Sequence, residues 1–208
     1  MRRVILGFLF AVLRVSGARA DITCTPTQPL GQQNRTRMKH RTPPQQNPGV
    51  QLITVTEIVA SPPAVGVNSP GSRTSAQPID PRETSVFTLK GDLWVVNIEP
   101  NDCDFHLEVS EVGGSANSDR VIVEIPQTAP FVPARNALLS GLHAAGVTLH
   151  ARTTLTHAIR IQVLGFGFYD AWHFSTTNPQ RGNHHGSPQV GSLWEIHPVW
   201  AIIFPASS

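Results

Sequence analysis

The chain has 208 residues, with 16 Lys and Arg against 14 Asp and Glu, a formal charge of +2. Charged residues make up 14%, well under the usual quarter, and mean hydropathy is close to zero. This composition excludes an acidic disordered chain, a coiled coil and a multi-span membrane protein, and the length suits one domain with tails or two small ones.

The first twenty residues read as an address. Arg2 and Arg3 form a positive start, Val4 to Leu13 is an apolar run, and Val15 to Ala20 is a small-residue stretch ending in A-x-A. That is the layout of a secretory signal peptide cleaved after Ala20, which implies a secreted or periplasmic protein. Ten apolar residues rise only about 15 Å as a helix, half of what a permanent span needs. Arg2, Arg3, Arg14 and Arg19 would leave with the signal and no acid would. The remaining chain then has 12 basic and 14 acidic residues, and from Gln51 onward 8 basic and 13 acidic, a net of −5. Nucleic acid is therefore not the expected partner of the domain.

Cys24 and Cys103 are the only cysteines. In an oxidising compartment they form an obvious disulfide that would pin the N-terminal tail to the domain. Residues 21–50 are Pro, Gln, Asn and Arg rich and read as a flexible basic leader. Its cations Arg35, Arg37, Lys39 and Arg41 could touch an anionic polymer. Arginine outnumbers lysine fourteen to two, a habit of GC-rich bacterial genomes.

Residues 51–208 read as the β-barrel domain. Gln51 to Ala60 is β-branched and strand-like, and 61–84 is a long Pro/Ser/Gly loop. Ser85 to Glu99 is one long strand with a bend or bulge at Gly91. Phe105, Leu107 and Val109 alternate with His106, Glu108 and Ser110 in a half-buried strand. Val121 to Ile125 follows, stopped by Pro126. Between Pro133 and Gly146 the period changes to helical, with Leu138, Leu139, Leu142 and Ala145 on one face. Ile159 to Tyr169 is again β. Residues 175–192 form a polar loop in which His184 and His185 are expected to be solvated. Leu193 to Phe204 is the last strand, where Pro198 argues for an edge or a bulge.

Three strands, one helix and two strands, preceded by an extra strand, predict a mainly β protein. The expected form is a small OB-like Greek-key barrel with its helix between strands three and four. A different small barrel or sandwich with a decorating helix is the alternative.

All histidines but His40 fall between His106 and His197. His106 with Glu108, and Glu195 with His197, sit at i and i+2 on single strand faces. Strand pairing could bring His106, Glu124, Glu195 and His197 together. Imidazole with carboxylate suits Zn, Fe or Mn and also general acid/base work. His106, Glu124 and His197 are therefore the candidate catalytic and metal-ligating set, with a divalent metal as cofactor. His106, Trp194, Glu195 and His197 are the candidate ligand-binding set. Against this stands a structural role, in which both histidines hydrogen-bond within the barrel. No H-E-x-x-H, paired C-x-x-C, G-x-S-x-G or Walker-type loop selects an enzyme class. Two functional readings follow: a non-catalytic module that binds a ligand or partner outside the cytoplasm, or a metal-assisted hydrolase of nuclease-like phosphodiesterase type.

The segments D-C-D-F-H-L-E-V (102–109), V-E-I-P (123–126), G-F-G-F-Y-D (165–170) and E-I-H-P-V (195–199), in that order, resemble a group of uncharacterised, mostly bacterial proteins. That group carries D-x-H-L, E-x-P, G-x-x-F-x-D and E-x-H-P-V segments, and the likeness covers about residues 83 to 204. The group usually continues the G-x-x-F-x-D segment with an H-G-Q-x-G-x-A-P-N run. Here the stretch is A-W-H-F-S-T-T-N-P-Q-R-G-N, a departure around His173. The resemblance implies a secreted β domain and no particular reaction.

Overall fold

The computed structural model describes residues 24–27, 33–45, 49–71, 76–183 and 185–205. The expected signal peptide lies outside them. Among the described residues no helix is long and apolar enough to cross a membrane.

Six strands carry the fold: β1 (Val50–Ile53), β2 (Val86–Ile98), β3 (Phe105–Ser110), β4 (Arg120–Ile125), β5 (Arg152–Tyr169) and β6 (Val190–Ile203). The sheet order is β1-β2-β3-β4-β6-β5, and β5 pairs again with β2. Strands β2 to β6 therefore close into a five-stranded barrel, and β1 adds to β2 in parallel. All barrel pairings are antiparallel except β4 with β6. Closure removes the open edges that a five-stranded sheet would otherwise present.

The helix falls between the third and fourth barrel strands, as the periodicity predicts. A 3-10 turn at Ala129–Phe131 runs into the α-helix Val132–Ala144. Ala134, Leu138 and Leu142 are buried, one apolar stripe at four-residue spacing that packs into the core. Gly146 (φ +74°) ends the helix, where the Val147 N–H donates to the Leu142 carbonyl.

Close approaches explain two glycines. At Gly91 a Cβ would sit 2.5 Å from the Ser110 carbonyl oxygen, so glycine lets β2 and β3 meet. The expected irregularity itself lies a little further on, between Leu93 and Val95. At Gly165 a Cβ would sit 2.7 Å from the Pro198 carbonyl oxygen. The β5–β6 register slips on both sides of Gly165. Pro198 thus faces an irregular stretch of a strand paired on both sides, which selects the bulge over the edge.

Two expectations at the N-terminal side are corrected. Gln51 to Ala60 is not one strand: β1 ends at Ile53, and Val55–Ala60 is a helix. Thr54 caps it, with a reciprocal bond to Glu57, so T-x-x-E outweighed the β-branched composition. The leader, expected to be flexible, contains the helix α1 (Gln33–Lys39), whose Met38 and Lys39 are buried. The helices at 55–60 and 132–144 are accordingly α2 and α3.

Cys24 and Cys103 form the expected disulfide, at a sequence separation of 79. Closing such a loop stabilises the fold by about 4.5 kcal/mol in the chain-entropy model. The double variant Cys24→Ser, Cys103→Ser is expected to lower the urea-unfolding free energy by about that amount. Unchanged stability would show that docking of the segment owes nothing to its bridge.

Candidate functional site

Strands β3, β4 and β6 each send alternate residues to the core, Phe105, Leu107 and Val109 from β3, Val121, Val123 and Ile125 from β4, Trp194 and Ile196 from β6. Period-2 alternation puts His106 and Glu108, Glu124, and Glu195 and His197 on the opposite face. His106 is the cross-strand partner of Glu124. The parallel register Val123↔Ile196 brings Glu124 beside His197.

Glu124 is the centre of the resulting network. Its Oε1 lies 3.0 Å from His106 Nδ1. Its Oε2 lies 2.8 Å from His197 Nδ1 and 2.9 Å from Lys39 Nζ, contacts of ion-pair distance without hydrogen-bond alignment. His197 Nδ1 also meets Glu195 Oε2 at 3.2 Å, and its Nε2 lies 3.4 Å from Asp104 Oδ2. Glu195 Oε1 is 2.8 Å from His185 Nε2.

Two loops complete the site. In the β2–β3 turn Cys103 adopts φ +61°, a left-handed conformation, and its N–H donates to the Glu99 carbonyl. This folds Glu99, Asn101 and Asp102 over the strand face. In the β5–β6 loop Asp170 caps a 3-10 turn (Ala171–His173), accepting from the Trp172 N–H. His173 Nδ1 lies 2.8 Å from Asp170 Oδ2. His185 is fixed through Nδ1, 3.1 Å from the Ser192 carbonyl oxygen.

Helix α1 closes the site with cations. Arg35 donates from Nε and a terminal nitrogen to the two oxygens of Asp170, at 2.9 and 2.6 Å. Lys39 donates to Asp102 Oδ2 at 2.7 Å. Next to the helix, His40 Nε2 meets Asp104 Oδ2 at 2.9 Å. Arg41 donates to the Gly167 carbonyl and stacks over Phe166. The charges expected to reach an anionic polymer are thus turned inward at Arg35, Lys39 and Arg41.

What remains is a cavity of about 130 Å³. Five carboxylates line it (Glu99, Asp102, Glu124, Asp170, Glu195), with three imidazoles (His106, His173, His185) and the two cations Arg35 and Lys39. Trp172, 46% exposed, lies on the rim. His106 is buried, and its Nε2 has no hydrogen-bond partner among the described residues; the nearest carboxylate oxygen, on Glu108, is 3.9 Å away.

Burial sets the electrostatics, and the partners reverse its sign. Burial alone would raise the Glu124 carboxyl, but Lys39, His197 and the His106 bond hold it well below the usual carboxylate range. Burial would likewise raise Asp170, which Arg35 and His173 hold far down. Desolvation works against a charge on His106, yet Glu124 raises its pKa above the ordinary value. His173 is raised in the same way, by Asp170. His197 is pushed up to about 10, because Glu124 outweighs burial and the repulsion from Lys39. Glu99 goes the other way, raised mainly by burial.

Of the residues expected from the sequence, His106, Glu124 and Glu195 line the cavity. His197 touches Glu124 but is fully buried behind it. Trp194 points elsewhere: its indole nitrogen donates to the Pro62 carbonyl and its ring packs on Tyr169 and Arg82. His185, expected to be solvated, is buried and bonded; His184 lies outside the described residues. Among the described residues three His/acid groups could hold a metal ion: Asp170, His173 and His185; His40, Asp102 and Asp104; and Asp104, Glu124 and His197. Sequence reasoning missed Asp102, Asp170, His173 and His185 as members of one site with His106. It also missed Arg35 and Lys39, whose only signal was a basic cluster close to a cysteine.

No family model, curated protein or solved structure matches the chain.

The raised pKa of His197 fixes a pH dependence. Its native value of about 10 exceeds the ordinary 6.5, so its stabilisation is complete below pH 6.5. It is lost as pH rises through 10. The difference in unfolding free energy between wild type and His197→Gln is therefore expected to be largest at pH 6 and to shrink steadily toward pH 10. Urea titrations at three pH values measure it. A difference independent of pH would mean that His197 is not held as an imidazolium.

Proposed function

We propose that the protein is an OB-like module acting outside the cytoplasm, and that the cavity between α1 and the barrel wall binds a small cationic ligand. The carrying observation is where the cavity lies. It is built on the outer face of the second and third barrel strands, β3 and β4, and of β6 beside them, with the loop between the first two barrel strands and the loop between the last two. In OB-like barrels that face and those two loops are the ligand-binding surface. Five carboxylates against two cations favour a positively charged guest and disfavour phosphate. The volume suits a small molecule or ion, not a polymer segment. The disulfide supports an oxidising compartment.

Trp172 on the rim supplies a fluorescence probe. Spermidine, as a test cation, is expected to change Trp172 emission and to raise the melting temperature of wild type. Saturation at 100 times Kd corresponds to about 2.7 kcal/mol. Glu195→Gln should weaken both effects at least tenfold, and inorganic phosphate should produce neither. A panel of organic cations and metal ions that never distinguishes wild type from Glu195→Gln would overturn the reading.

A second reading, a metal-assisted hydrolase, is favoured by the His106–Glu124 pair. A carboxylate holding Nδ1 presents the opposite nitrogen, here the unpartnered Nε2, as a metal ligand or general base. Under that reading bis(p-nitrophenyl) phosphate is cleaved in the presence of Zn²⁺ or Mn²⁺, and His106→Ala loses the activity by at least a hundredfold. Wild-type rates equal to those of metal in buffer would sink it.

A further inference from the structure

The surroundings of His185 point to one place for a cation. The Ser192 carbonyl can only accept, so it holds a proton on His185 Nδ1. His185 Nε2 then faces two carboxylate oxygens, Glu195 Oε1 at 2.8 Å and Asp170 Oδ2 at 3.8 Å. The Glu195 contact has hydrogen-bond length, whereas the 3.8 Å gap to Asp170 Oδ2 is wide enough for an ion bound by both atoms. An imidazole whose Nδ1 donates to a backbone carbonyl is also the usual preparation of an Nε2 metal ligand.

The neighbours make the metal the better fit. His173 lies beside His185, ring centroids 5.1 Å apart. One ligand atom from each of Asp170, His173 and His185 falls within 4.8 Å of the others. Ligands of a tetrahedral ion held at about 2.1 Å sit about 3.4 Å apart, so small side-chain rotations close the set. Two imidazoles and one carboxylate leave a fourth position for water, substrate or the neighbouring Glu195. Independently, the buried and unpartnered His106 Nε2 belongs to a residue lining the same cavity.

We propose that Asp170, His173 and His185 form a site for a divalent transition metal, zinc in character, for which Arg35 of α1 competes by pairing with Asp170. This rests on the reading of the cavity as a cation site and names the cation. It differs from the set expected from sequence, because the ligands come from the β5–β6 loop and not from the strand face. Arg35 engages both Asp170 oxygens, which also meet the Trp172 N–H and His173, so a metal on Asp170 competes with Arg35 for the carboxylate. The segment that closes the cavity thereby sets the metal affinity.

The test uses the full chain with its disulfide intact. Zn²⁺ binding is followed by isothermal titration, and Co²⁺ binding by its visible absorption. Wild type is expected to bind one ion per chain. His173→Ala and His185→Ala should each weaken binding by about a hundredfold or more and abolish the tetrahedral Co²⁺ bands. Arg35→Met should tighten binding by about tenfold. Near-ultraviolet circular dichroism checks that each variant keeps its tertiary packing. The ligand assignment is overturned if wild type and Arg35→Met bind no stoichiometric metal. It is equally overturned if folded His173→Ala and His185→Ala bind as wild type does while His106→Ala does not. Failure of metal binding with the spermidine response intact would refute this site alone; loss of both would refute the cavity reading as well.

Discussion

Everything on this side of the molecule turns on the Glu124 carboxylate. It is buried, and a charge removed from water costs several kcal/mol unless it is paired and hydrogen-bonded. The chain meets that cost from three directions. His106 arrives from β3, His197 from β6 and Lys39 from α1. One side chain therefore ties two neighbouring strands and the N-terminal segment to the central strand. Any rearrangement of α1 changes the charge balance that Glu124 experiences.

The same electrostatics explain why a segment with hardly any large apolar residues is ordered. Residues 33–45 offer the domain a single buried apolar anchor, Met38. They offer four polar or cationic side chains besides: Arg35 on Asp170, Lys39 on Asp102 and Glu124, His40 on Asp104, and Arg41 on the Gly167 carbonyl. The disulfide raises the effective concentration of the segment near these acids. Composition alone describes the segment as a linker, because it reports what the segment lacks and not what it faces.

The barrel was legible because its signals are local. Alternation in Phe105–Ser110, the helical stripe in Pro133–Gly146 and the stop at Pro126 each depend on a few neighbouring residues. Strand pairing of His106 with Glu124 followed from adjacent elements and period-2 patterning. The loop half of the site was not legible. Asp170, His173 and His185 converge through a 3-10 turn and a backbone carbonyl at Ser192, neither of which has a periodic signature. Trp194 fails for the opposite reason: period-2 alternation, itself a local signal, turns it to the core with Ile196 and away from Glu195 and His197.

The density of buried ionisable groups is itself an argument about function. Buried ion pairs are weak contributors to stability, and apolar replacements of similar volume are often neutral or stabilising. A barrel wall covered by a helix could be sealed with Leu and Val, as the core side of β3 and β4 is. This chain instead places Glu124, Glu195, His106 and His197 there, and then needs Arg35 and Lys39 to balance them. Folding alone would not select that arrangement. It suits the proposed binding role: charged groups preorganised in a low-dielectric recess, held by partners for which a cation would compete.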